Sequence, residues 1–244
     1  MDSALALIAD PSAWLALVTL VAMEIVLGVD NLIFVALLSA KLPEEYAGRA
    51  RCIGVGFSLI FRVLLLAGAA YVVHLTRPVF FLFRQAFSWR DLILIAGGLF
   101  LVVKATREIH ESVEPEEKLK AAAPKSPAFR ATVVQIALLD LVFSIDSIIT
   151  AVGMTDHVLV MIVAVIVAVT AMLIASGPLA DLIHKNPTIV MLALGFLLLI
   201  GTTLIAEGFG IHFPKGYIYA AMAFSAAVEA LNTLARKRRK RPPD

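Results

Sequence analysis

The sequence predicts an all-α integral membrane protein with seven transmembrane helices, arranged as an inverted 3+3 repeat plus one extra C-terminal helix. Three observations lead to this prediction. The 244-residue chain is 60% hydrophobic and 16% charged, whereas a water-soluble domain is about 25% charged. Seven apolar windows, each about long enough to cross a bilayer, follow one another along the chain. An acidic motif in the first window recurs in the fourth.

The seven predicted spans are apolar windows between charged segments, and they lie at 13–39, 53–74, 91–106, 131–153, 157–177, 188–207 and 216–234. The third is the shortest, because Lys104 and Arg107 crowd its end. Residues 1–9 lack the basic start of a cleaved signal peptide, so we expect the first span to stay in the protein. Arginine alternates with Phe and Trp over residues 77–90, which predicts a stretch at the membrane surface.

Lys and Arg residues predict the orientation. With the N-terminus outside, 16 of the 21 Lys and Arg residues lie inside and four outside, and Arg62 lies within a span. Because basic loops remain on the cytosolic side, we expect an N-terminus outside and a cytoplasmic C-terminus.

The same pattern divides the chain into five segments. They are a first three-helix repeat (1–106), a cytosolic linker rich in Glu and Pro (107–130), a second, inverted three-helix repeat (131–207), a seventh helix (208–234) and a basic cytosolic tail (235–244). The tail is expected to contact anionic lipid headgroups.

Composition and motifs exclude several classes of function. The single cysteine, Cys52, cannot form an intrachain disulfide or a thiolate metal cluster. A net charge of +2 gives no surface basic enough for nucleic acid. We find no HExxH, GxSxG or comparable signature, and therefore do not expect an enzyme.

The repeat joins the segment MEIVLGVDNLIF, which starts at Met23, to LDLVFSIDSIIT, which starts at Leu139. The two align without a gap, and their polar positions match at an offset of 116 residues: Glu24 with Asp140, Gly28 with Ser144, Asp30 with Asp146, and Asn31 with Ser147. The copies begin in spans 1 and 4, so each repeat has three spans, and this odd number inverts the second copy relative to the first. In transporters, such repeats place the substrate site near the membrane midplane.

Four acids within spans are costly. An ionised Asp at a span centre costs roughly 2.5–3.5 kcal/mol on insertion scales, so four uncompensated charges cost about 10–14 kcal/mol. Arg62 and Lys104 are the basic candidates in or at the spans, and two cations cannot neutralise four acids. Glu207 and Glu229 add to this deficit. Protons, water or a bound cation must therefore compensate the rest.

The spacing of the acids leaves two arrangements open. Glu24 and Asp30 are six residues apart, which on a straight helix is about 9 Å of rise and places them on different faces. Either the helix unwinds at Gly28, as at Ser144 in the other copy, or the acids form two layers. Antiparallel crossing of the two motif helices would place Glu24 level with Asp146 and Asp30 level with Asp140.

Oxygen ligands in the motifs predict a hard divalent cation such as Mg²⁺, Ca²⁺ or Mn²⁺. The candidate ligands are Glu24, Asp30, Asn31, Asp140, Asp146 and Ser147, with Glu207 and Glu229 as additional candidates and Arg62 as a counter-ion. Because clustered acids can exchange protons for metal, we expect a metal/proton antiporter. The cation is then a substrate, and no prosthetic group is expected.

The sequence resembles the TerC family of integral membrane proteins in its short form. The resemblance rests on EIVLGVDNLIF at 24–34, KATREIHE at 104–111, QIALLDLVFSIDSIITAVGMT at 135–155 and AEGFGIHFPKGYIYAAMAFSAAVEALN at 206–232. It implies a seven-helix bundle related to LysE-like transporters and, in bacteria, manganese export across the inner membrane, with the acids of the two motifs as the metal path.

The family resemblance also implies an alternative function, a membrane-protein biogenesis or metallation factor acting with the secretion machinery. The expected partners are a divalent metal ion, protons and membrane lipid, without nucleic acid. A homo-oligomer and contact with the secretion machinery remain open.

Overall fold

The computed structural model describes residues 10–82, 85–113, 126–155 and 157–239. Its helices are α1 (Pro11–Leu27), α2 (Val29–Ala40), α3 (Glu44–Ala67), α4 (Ala69–His74), α5 (Trp89–Val113), α6 (Ser126–Met154), α7 (Val158–Lys185), α8 (Pro187–Gly208) and α9 (Lys215–Arg239). Two short strands, β1 (Pro78–Leu82) and β2 (Gln85–Ser88), precede α5.

Helix starts follow local sequence signals. Asp10 caps α1 by accepting a 2.9 Å hydrogen bond from the backbone N–H of Ser12, and Pro11 occupies the first turn, where no N–H is needed. Helix α3 begins with Glu44 and Glu45, whose charges suit the positive end of a helix dipole. It therefore begins nine residues before the predicted span at 53.

Within the described residues, five helices are long and apolar enough to cross a membrane: α3, α6, α7, α8 and α9. Helices α1 and α2 form a sixth span if the pair, bent by 44°, is one crossing. Helix α5 does not reach the same apolarity, because charges at both ends restrict its uncharged stretch to residues 92–103. The all-α membrane fold is confirmed, while α5 as the seventh span stays a prediction.

The helices pack in three main pairs: α5 lies along α8, α3 along α6, and α1 with α2 along α7. The α5–α8 pair is the closest. A Cβ on Gly98 would lie 2.6 Å from the carbonyl oxygen of Gly201, and a Cβ on Gly201 would lie 3.0 Å from that of Gly98. Both positions therefore need glycine for the two backbones to meet. Helix α9 packs mainly on α8 and exposes apolar side chains such as Phe224.

The break between α1 and α2 lies at Gly28. A side chain there would clash with the Met172 thioether, and its Cβ would lie 2.9 Å from the carbonyl oxygen of Glu24. The matching residue Ser144 instead lies inside the continuous helix α6, where its hydroxyl donates a 2.5 Å hydrogen bond to the Asp140 carbonyl. The helix is therefore interrupted at Gly28 in the first copy of the motif and is continuous at Ser144 in the second copy.

The aromatic stretch at 77–90 forms a β-hairpin, which the all-α prediction did not include. The rings of Phe80 and Phe87 stack with centroids 5.4 Å apart, and Phe87 meets Phe209 edge-on at 5.8 Å. The Gln85 amide also donates a hydrogen bond to the Phe209 carbonyl. The hairpin therefore covers the loop between α8 and α9.

Helices also take up both ends of the predicted 107–130 linker. Helix α5 continues to Val113, since Glu108 pairs with Lys41 and with Lys104, the latter at 2.9 Å. Helix α6 begins at Ser126. Residues 1–9 and 114–125, and 240–244 of the basic tail, lie outside the described residues. The five segment boundaries stay a prediction.

Candidate functional site

Arg62 lies at the centre of a buried ionic network that joins three helices. Its side chain, 2% exposed, donates from Nη1 to Glu24 Oε2 on α1 at 2.7 Å. It also forms a fork to Asp140 on α6, from Nε to Oδ2 at 3.0 Å and from Nη2 to Oδ1 at 2.9 Å. We call these residues and their neutral partners the Arg62 centre. The structure thus places Arg62 as a counter-ion, as the sequence suggested.

Neutral donors complete the shell of Asp140. Asn31 donates to Oδ1 at 2.8 Å and the Ser58 hydroxyl donates to Oδ2. The Ser144 hydroxyl, which lies closer to the Asp140 carbonyl, shares its one hydrogen with Oδ2 at 3.1 Å. Glu24 is less well satisfied, because its buried Oε1 has no hydrogen-bond partner among the described residues. One guanidinium therefore faces two acids, and Glu24 has the weaker shell.

A second group of acids lines a cavity of about 40 Å³ near the start of α9. We call it the Asp146 cavity; its lining includes Asp30, Phe143, Asp146, Ser147, Thr203, Glu207, Lys215 and Tyr219. A water needs roughly 10–15 Å³ of such volume, so the cavity has room for about three waters or for one small ion with part of its hydration.

Two cations hold Asp146. Arg90, at the start of α5, donates from Nη2 to Oδ1 at 2.5 Å, and the Lys215 ammonium pairs with Oδ2. Arg90 is also 3.7 Å from Asp91 Oδ1. In contrast, Asp30 Oδ1 and Glu207 Oε2 are buried without a hydrogen-bond partner among the described residues. Two of the acids that line the cavity therefore each have one unpaired carboxylate oxygen.

The acids group differently from the two expected layers. Contacts join Glu24 to Asp140 through Arg62, whereas Asp30 and Asp146 line one cavity. Glu229 lies apart, in an apolar groove between α7, α8 and α9. Among the described residues, no three Asp, Glu, His or Cys side chains stand close enough together to hold a metal ion. Metal ligation by the motif residues stays a prediction.

The counter-ions of Asp146 differ from the basic candidates that the sequence offers. Lys104, a basic candidate at the end of a span, pairs with Glu108 at 2.9 Å and lies at the opposite end of α5 from Arg90, which pairs with Asp146. Arg90 and Lys215 were assigned to outside loops, yet both reach Asp146. Their positions at the start of α5 and α9 were the available signal, since a long basic side chain can extend about a helical turn from its backbone.

A smaller cavity of about 20 Å³ has a lining that includes Asn31, Ser58, Asp140 and Ser176. The neighbouring residues Asp30 and Asn31 therefore line different cavities. Asp140 therefore belongs both to the Arg62 centre and to the lining of this second cavity.

Comparison with known proteins identifies the family. The sequence model of the integral membrane protein TerC family matches residues 9–243. The chain belongs to the TerC family. It is 51% identical to the UPF0053 inner membrane protein YgdQ of Escherichia coli K12 over 231 residues, which cover 95% of this chain and 97% of the relative. A UPF0053 protein of Haemophilus influenzae is 47% identical over 230 residues, covering 94% and 97%.

A longer relative matches this chain over part of its own length. The UPF0053 protein YegH of Escherichia coli K12 is 50% identical over 234 residues, which are 96% of this chain and 44% of that protein. No solved structure matches the chain. Membrane helices and relatives named as inner membrane proteins together establish a TerC-family membrane protein.

Proposed function

We propose that this TerC-family protein is a secondary transporter that exports a divalent metal cation, manganese foremost, across the inner membrane in exchange for protons. The observation that carries the proposal is the Asp146 cavity, where Asp30 and Glu207 each have a buried oxygen without a hydrogen-bond partner among the described residues. Carboxylates inside a membrane protein are costly and rare, and those that are present commonly mark an ion or proton path.

The chemistry of the cavity favours a hard cation. Asp30, Asp146, Glu207 and Ser147 line the cavity with oxygen atoms, which suit Mn²⁺ and Mg²⁺ better than soft ions. Because no three acids of the described residues stand close enough together to hold a metal ion in this conformation, the proposal requires them to draw together around the ion. Three acids outnumber the two cations Arg90 and Lys215, so an anion would meet net repulsion. The small volume supports a partly hydrated ion rather than an organic substrate.

Helix packing supports an inverted 3+3 repeat as the transport framework. If α1/α2, α3 and α5 correspond to α6, α7 and α8, exchanging the two copies converts the α1–α7 contact into the α6–α3 contact. The α5–α8 contact maps onto itself, and Gly98 and Gly201 approach each other reciprocally there. Helix α9 is then the extra seventh helix. The orientation with the N-terminus outside belongs to the same proposal.

The proposed path includes both cavities, the one lined by Asp30 and Asp146 and the smaller one lined by Asn31 and Asp140. Arg62 holds Asp140 at the smaller cavity, and its contacts would have to separate for Asp140 to bind a passing ion. Rocking of one repeat against the other supplies such a separation in inverted-repeat transporters. Glu24, Asn31 and Asp140 are thus proposed as the part of the path that is closed in this conformation.

Binding measurements test the site. Purified protein should bind Mn²⁺, and Asp30→Asn and Asp146→Asn should each weaken binding by at least tenfold, because each removes an ionised ligand. Glu111→Gln is the matched control, since it removes an exposed acid that pairs with Lys41 at 3.4 Å away from the cavity. Unchanged affinity in both Asp variants, or equal weakening by Glu111→Gln, would contradict the proposed site.

A further inference from the structure

Lys215 occupies the Asp146 cavity as a cation tethered to the protein. It is the first residue of α9, and its ammonium pairs with Asp146 Oδ2 while Arg90 takes Oδ1. Both oxygens of the central carboxylate are therefore already paired. A substrate cation that binds Asp146 must share these oxygens with two positive groups or displace one of them.

Direct binding to Asp146 favours displacement. The three acids of the cavity, together with Asp91, which pairs with Arg90, carry four negative charges when ionised, and Arg90 and Lys215 carry two positive charges. A divalent ion neutralises this excess, which a monovalent ion does not. An ion that takes an Asp146 oxygen also lies next to the cation already paired there, and the two positive charges repel each other.

Of the two cations, Lys215 is the one free to leave. Its side chain is 37% exposed, compared with 17% for Arg90, and so it has a route to water at the start of α9. Arg90 is held additionally by Asp91 at 3.7 Å, and its backbone N–H donates to the Leu75 carbonyl at 3.1 Å. A flexible lysine stem also allows an ammonium to exchange more easily than a planar guanidinium.

We propose that Lys215 is a displaceable counter-cation: a divalent substrate takes its place on Asp146, and its return to the carboxylate favours release of the substrate. This inference rests on the proposed transport function and concerns how the same site is regulated. Lys215 thus weakens substrate affinity and speeds turnover, which is the opposite of the effect expected from a ligand or from a residue needed only for folding.

The size of the effect follows from competition. If the lysine is paired for nine-tenths of the time, only a tenth of the protein can bind the metal, and affinity falls about tenfold, or about 1.4 kcal/mol. Neutralising Lys215 should therefore lower the Kd for Mn²⁺ by about tenfold or more. The same change should slow Mn²⁺ release and so reduce the maximal transport rate.

Chemical modification tests this on a single folded protein. In a Cys52→Ser background, which removes the only native thiol, Lys215→Cys is treated with one of two methanethiosulfonates. The cysteine thiolate displaces methanesulfinate and forms a mixed disulfide, carrying either an aminoethyl group that restores the ammonium or a neutral methyl group. The Kd for Mn²⁺ is then measured calorimetrically, and transport is measured in proteoliposomes.

We expect the protein with the neutral methyl disulfide to bind Mn²⁺ at least tenfold more tightly, and to transport it more slowly, than the protein with the aminoethyl disulfide. The same pair of modifications on Lys104→Cys is the control, because Lys104 pairs with Glu108 away from the cavity. If the two modified forms of Lys215→Cys have equal Kd values while the unmodified wild type binds Mn²⁺, the role proposed for Lys215 is refuted and the proposed transport function is not. Absence of Mn²⁺ binding in the wild type would refute the proposed function as well.

Discussion

Replacing Arg62 by Gln should strongly destabilise the protein, and the structure says which acid is responsible. The substitution leaves two buried carboxylates without their guanidinium. Breaking a buried ion pair from one side typically costs about 3–5 kcal/mol. Without Arg62, Asp140 still accepts hydrogen bonds from Asn31, Ser58 and Ser144. The buried Oε1 of Glu24 has no hydrogen-bond donor among the described residues. The larger share of the cost should therefore come from Glu24.

A double-variant comparison measures that share. Free energies of unfolding are measured by detergent titration for three proteins: Arg62→Gln alone, Arg62→Gln combined with Glu24→Gln, and Arg62→Gln combined with Asp140→Asn. The double variant with Glu24→Gln should recover more stability than the one with Asp140→Asn, because it neutralises the less satisfied acid. Arg107→Gln, an exposed substitution, should change the free energy by less than about 0.5 kcal/mol. A fully stable Arg62→Gln protein, or greater recovery from Asp140→Asn, would refute this account of the Arg62 centre.

Two further predictions concern stability away from the acids. Gly98→Ala places a Cβ 2.6 Å from the Gly201 carbonyl oxygen and should destabilise the fold by about 1–3 kcal/mol, whereas Gly195→Ala, at an open position on α8, should not; equal melting temperatures would contradict the close approach. For Glu108, burial opposes ionisation, but the ion pairs with two lysines outweigh it and hold its pKa below the ordinary 4.5. Its stabilisation is therefore present above about pH 4.5 and is lost as the pH falls further. Glu108→Gln should lower stability at pH 7 more than at pH 3.5, and a cost that does not depend on pH would count against the ion pairs.

The helical membrane fold could be predicted because apolar windows of spanning length leave the chain few alternatives in a bilayer. The hairpin before α5 could not, since its aromatic and arginine residues fit a surface stretch equally well. Its strands depend on tertiary contact with Phe209, which is 122 residues from Phe87 in sequence. The length of α5 was underestimated for a similar reason, because ion pairs of Glu108 extend the helix beyond the apolar window.

The acids of the site were predictable from the repeat, but their grouping was not. A constant offset identifies Glu24, Asp30, Asp140 and Asp146 as related positions and says nothing about which side chains meet. That depends on helix rotation and on Arg62, whose length lets one guanidinium hold acids from both copies. The sequence does not identify Lys215 because span prediction assigns a basic residue at a helix start to water, whereas here the partly buried Asp146 carboxylate pairs with it.

Transport of Mn²⁺ by the purified protein tests the central claim most directly. Wild-type protein, Asp30→Asn and the control Glu111→Gln are reconstituted in liposomes that enclose a fluorescent Mn²⁺ indicator and carry an imposed pH gradient. The account predicts Mn²⁺ flux that depends on the gradient in wild type and Glu111→Gln, and loss of that flux in Asp30→Asn. Equal flux in Asp30→Asn, or no flux above empty liposomes in the wild type, would contradict it.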